Sequence, residues 1–103
     1  MRAFILVWLF LVSTPCFANY EEDMVALKKN MPSSVSKFID RQIMCNHWAG
    51  EEPYDEERRQ EINLATKDLK CDSLAIDEKR LNGKYKNKPA VLESIKKARE
   101  YAL

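Results

Sequence analysis

Glycine is nearly absent from this chain of 103 residues, which holds only Gly50 and Gly83. A glycine-rich phosphate-binding loop is thereby excluded, because such loops need several positions where the backbone can approach a phosphate unhindered. Histidine occurs once, at His47, so no histidine cluster can hold zinc. Three cysteines occur at positions 16, 45 and 71, and none forms a C-x-x-C redox pair. No run of four or more residues alternates apolar and polar with the β-branched enrichment a strand needs. Net charge is missing too: Lys and Arg number 17 against 16 Asp and Glu. That balance argues against a general electrostatic pull toward nucleic acid or an anionic membrane.

One long apolar run is present, from Ala3 to Val12, behind the charge of Arg2. As a helix it would span roughly 15 Å, about half of a ~30 Å hydrocarbon core. Ser13-Thr14-Pro15 then breaks it, and Cys16 and Ala18 place small residues where a signal peptidase reads them. Residues 1–18 are therefore expected to be a cleavable secretory signal peptide, with cutting after Ala18. A single small domain, residues 19–103, would remain. A membrane anchor needs a longer apolar run, and a lipoprotein reading of Cys16 meets Pro15 where a small, flexible residue belongs.

Cleavage would remove Arg2, Trp8 and Cys16 together. It would leave equal numbers of opposite charges, one tryptophan and two cysteines. An even pair in a small exported chain predicts a Cys45–Cys71 disulfide. Closing that loop is worth about 3.5 kcal/mol by chain entropy, a large share of the ~5–15 kcal/mol that holds a small domain.

Helical spacing runs through the rest. Tyr20 to Lys29 carries Met24, Val25 and Leu27, with acids first and lysines last, the order that suits a helix dipole. Asn30-Met31-Pro32 ends it. Ser33 or Ser34 is expected to cap a second helix with Val35, Phe38, Ile39, Ile43 and Met44 inward, running out near Cys45-Asn46. A loop is expected over His47–Tyr54. Asp55 would cap a third helix of roughly Glu56 to Leu69, with Ile62, Ala65 and Leu69 inward. Asp72 or Ser73 would cap a fourth, with Leu74, Ile76, Leu81 and Tyr85 apolar. Pro89 suits the first turn of a last helix carrying Val91, Leu92, Ile95, Ala98 and Tyr101. The expected fold is all-α, four to five short helices in a small bundle stapled by one disulfide.

The central loop concentrates the unusual side chains. His47 with Glu51 or Glu52 has the chemistry of an acid–base pair, but no nucleophile stands beside it. His47, Glu51 and Asp55 have metal-ligand chemistry, although one histidine with scattered carboxylates makes a poor set. Trp48 and Tyr54 are residue types that anchor interfaces, with acidic neighbours to orient a partner. An architectural role competes with all three. In it Trp48 plugs the bundle, His47 bonds a helix end and Gly50 adopts a positive φ. Glu51 or Glu52 pairs with Arg58 or Arg59, and Tyr54 packs ahead of the Asp55 cap. The expected binding loop thus comprises His47, Trp48, Gly50, Glu51, Glu52, Tyr54, Asp55 and Arg58. No catalytic residue, metal or cofactor is expected.

The run Cys45-x-His47-Trp48-x-Gly50-Glu51-Glu52-Pro53-Tyr54-Asp55, then Arg58 and Leu69-Lys70-Cys71, resembles small exported proteins of Gram-negative bacteria. Those proteins share a C-x-H-[aromatic]-x-G-E signature and a second cysteine downstream, and they form an uncharacterised family. The resemblance covers roughly Ile39 to Ala98. It implies a periplasmic setting and no particular activity. The expected role is non-enzymatic binding or inhibition of a macromolecular partner in the cell envelope, with no nucleic acid and no stable membrane insertion. An envelope structural or stress accessory protein, or a small metal- or ligand-binding module, is the alternative.

Overall fold

In a computed structural model the chain is described over residues 16–101, with side chains described from Tyr20. Five helices follow in order: α1 Cys16–Lys28, α2 Ser33–Ala49, α3 Glu56–Asp68, α4 Leu74–Lys84 and α5 Pro89–Arg99. A single 3-10 turn, Cys71–Ser73, precedes α4. The described residues contain no strand, and the fold is a small all-α bundle with one disulfide. Apart from the backbone of 16–18, which opens α1, the expected signal segment lies outside the described residues.

The bundle is organised around α2, which packs against α1, α3, α4, α5 and the 3-10 turn. Its sequence explains why. Val35, Ile39, Gln42 and Asn46 are spaced by three and four residues, so they share one face. Phe38, Arg41, Cys45 and Trp48 repeat that spacing on a second face. Val35, Ile39 and Ile43, with Ile95 of α5, are the largest fully buried side chains. Met24 and Leu27 bring α1 to this core, Leu74 and Leu81 bring α4, and Val91 and Ala98 complete α5. The amide of Asn46 works as a clasp: it donates to the carbonyls of Ala98 at 2.9 Å and Tyr101 at 3.1 Å. Ala98 lies in the last turn of α5 and Tyr101 just past its end, so the clasp closes over the C-terminus of that helix. Buried Gln42 holds the clasp in place by donating to Asn46 Oδ1 at 2.9 Å.

Several expectations are corrected. Helix α2 continues to Ala49, so His47 and Trp48 lie on its last turn and the loop begins at Gly50. Nothing in His47-Trp48-Ala49 breaks a helix, and the Gly50 and Glu51 amides close the turn onto the His47 and Trp48 carbonyls, both at 3.1 Å. Gly50 has φ −89°, not a positive φ; the left-handed positions are Asn30 and Lys70. Neither Ser33 nor Ser34 caps α2, because the Pro32 carbonyl accepts the first amides and places Ser33 inside the helix. Ser73 holds the cap position of α4, but its hydroxyl donates to the Lys70 carbonyl instead. Ile76 is 70% exposed. The inward face of α4 is Leu74, Glu78 and Leu81, and Ile76 falls about 200° round the helix from Leu74. Buried Glu78 is paired with Arg99 of α5. Met44 also faces outward, one position past Ile43.

Polar ties lock the second face of α2. Arg41 Nη2 donates to Asp77 Oδ2 at 2.6 Å and to Ser73 Oγ at 3.2 Å, joining α2 to α4 and the 3-10 turn. The Arg41 guanidinium holds the Asp77 carboxyl below its ordinary value of 3.8. A depressed carboxyl stabilises the fold fully above its unfolded pKa, and that stability is lost as pH falls through the folded value. Acid titration of the unfolding free energy should therefore steepen below about pH 4. In Asp77→Asn that component of the slope should be absent. Truncation provides a second check. Ile43→Ala should cost ~2–5 kcal/mol in urea denaturation, and Ile76→Ala less than about 0.5 kcal/mol.

Candidate functional site

The site lies where the last turn of α2 meets the first turns of α3. Asp55 starts α3 as expected, accepting the Arg58 amide at 2.7 Å. Acidic Glu56 and Glu57 follow in the first turn, where they suit the positive end of the dipole. This capped start points the Arg58 side chain back at α2. Its guanidinium lies over the Trp48 ring, 5.3 Å from the centroid. One end donates to Glu51 and the other to Glu61 at 2.6 Å. The hydrogen bonds to Glu61 and Glu51 push the guanidinium pKa further up, so Arg58 remains a cation at every accessible pH.

His47 completes the corner. Its ring meets Trp48 edge-on, with centroids 5.4 Å apart and planes at 71°. Its Nε2 is 3.7 Å from Glu51 Oε2, beyond hydrogen-bond reach. Trp48, Arg58, Glu51 and His47 are therefore brought together. Glu52 and Tyr54 are not: both are exposed, Tyr54 by 78%. That exposure rules out the expected packing of Tyr54 ahead of the cap. The expected ion pair exists between Glu51 and Arg58, while Arg59 turns to Glu56 at 3.3 Å.

Glu51 is engaged by a permanent cation, which makes it a poor general base for a histidine partner. Among the described residues no three His, Cys, Asp or Glu side chains gather as a metal site would require. What the corner does form is a cleft of about 240 Å³. Trp48, Ala49, Glu51 and Pro53 line one side, and Arg59, Ile62, Asn63 and Thr66 of α3 the other. Pockets for small organic ligands usually occupy ~300–1,000 Å³, so this one suits a single inserted side chain.

Helix α3 has no buried residue. Its expected inward residues Ile62, Ala65 and Leu69 are only half-buried. The helix is held at one end by the Arg58 corner and at the other by the Cys45–Cys71 disulfide, whose Cα atoms are 5.7 Å apart. Cys45 sits one turn inside α2, and Cys71 lies just past α3 in the 3-10 turn. The sequence reading missed Asn46 and Arg41. Their only signal was helical spacing from apolar neighbours, which is hard to weigh when the side chain itself is polar.

No protein-family model matches this chain, and no curated protein or solved structure does either. The residues themselves carry the functional argument.

Trp48→Ala should lower stability by about 2 kcal/mol, below the ~3–5 kcal/mol of a fully buried tryptophan, because the side chain is only partly buried. Tyr54→Ala should leave stability within about 0.5 kcal/mol of wild type. Paired urea titrations check both.

Proposed function

We propose that this chain is a small, non-enzymatic protein, exported to the periplasm or beyond, that binds or inhibits another macromolecule of the cell envelope. The Trp48 cleft carries the reading. It combines an aromatic wall and a proline, and the Trp48 ring is held from behind by the stacked Arg58 guanidinium. Interfaces draw most of their energy from such aromatic and arginine anchors. A rigid corner also loses little entropy when it captures a side chain.

Export is supported by the signal-like composition of residues 1–18 and by the disulfide, which belongs in an oxidising compartment. Among the described residues, no helix is long and apolar enough to cross a membrane.

Asn63 offers a clean test, since it is exposed and lines the cleft on α3. Asn63→Arg should fill the mouth of the cleft without touching the core. In affinity capture from envelope extract, a partner retained by wild type should fall at least about tenfold with the variant, while the melting temperature stays unchanged. Equal recovery with both proteins would move the binding surface elsewhere.

A further inference from the structure

The two cysteines of the disulfide stand in different surroundings. Cys45 is 5% exposed on α2. Cys71 is half-buried and lines an open cleft of about 570 Å³ with Thr66, Lys67 and Asp72. A thiolate must reach a disulfide sulfur to break the bond, so access decides which sulfur is attacked. Lys67 and Asp72 give the cleft one charge of each sign. Charge therefore does not choose between the sulfurs, and access does.

We propose that Cys71 is a thiol-exchange site, open to a small thiol or an external dithiol, and that exchange there releases α3 from the bundle. The incoming thiolate forms a bond to Cys71 Sγ and the Cys45–Cys71 bond breaks. The electron pair leaves on Cys45 Sγ, which takes a proton from solvent. When the reagent is a dithiol, its second thiol displaces Cys71. Two electrons and two protons then reside on the cysteines, and the reagent is left as its own disulfide.

The consequence follows from how α3 is held. No residue of α3 is buried, whereas the fully buried Val35, Ile39, Ile43 and Ile95 belong to α2 and α5. Losing the covalent link leaves α3 attached by half-buried contacts and the Arg58 corner. Low burial marks the segments of a protein that open separately from the rest. With α3 displaced, the cleft opens and Trp48 meets water.

Oxidised mature protein treated briefly with glutathione, quenched with N-ethylmaleimide and mapped by mass spectrometry reads the attacked sulfur. Glutathione on Cys71 with maleimide on Cys45 should exceed the opposite adduct by about tenfold. Equal adducts, an excess on Cys45, or reaction only in denaturant would overturn the assignment. The double variant Cys45→Ser/Cys71→Ser reads the release. Trp48 emission should shift to the red while most helical ellipticity survives. Unchanged emission, or cooperative loss of all helical signal, would overturn the release.

Discussion

The structure depends on one helix presenting a packing surface to all the others. The face of α2 that carries Val35, Ile39, Gln42 and Asn46 serves the core, with apolar burial at one end and the α5 clasp at the other. The face that carries Phe38, Arg41, Cys45 and Trp48 meets the 3-10 turn, α3 and α4 through mixed chemistry: a guanidinium, a covalent bond and an indole. Three- and four-residue spacing places both faces on one cylinder. The two faces stabilise by different means, and of the helices the second one meets, α4 buries Leu74, Glu78 and Leu81 while α3 buries none.

The corner shows how a polar helix can be fixed without a core of its own. Helix α3 contributes no buried side chain. The cap at Asp55 sets its starting direction, Arg58 then spans Trp48, Glu51 and Glu61, and Cys71 ties the far end. Exposed ion pairs are individually worth little. This cluster gains from geometry instead, because one guanidinium is stacked and hydrogen-bonded at once. Several conspicuous residues between Cys45 and Arg58 thus shape the cleft and hold its walls, and Trp48 does both.

Much of the fold was legible because helices announce themselves by apolar spacing and by breakers such as Pro32 and Pro89. The disulfide followed from counting cysteines, and the Asp55 cap from residue type. Legibility ended where polar residues substitute for apolar ones. Glu78 is buried because Arg99 neutralises it, which hid the true inward face of α4 and made Ile76 look internal. The end of α2 was misplaced because His47 and Trp48 are compatible with a loop by type and with a helix by geometry. Within the site, the Glu51–Arg58 pair was foreseen as one of several pairings. The stacking of Arg58 on Trp48 was not, since it depends on α3 folding back across a loop whose path no local pattern specifies.

Site-resolved amide hydrogen exchange on the oxidised protein tests the central claim most directly, that α3 is held from outside the core that α2 builds with α1, α4 and α5. Exchange should proceed through a local opening of α3, with its amides at least tenfold less protected than those of the buried turns of α2 and α5. Protection of α3 equal to that of α2, rising and falling with global stability, would contradict the account.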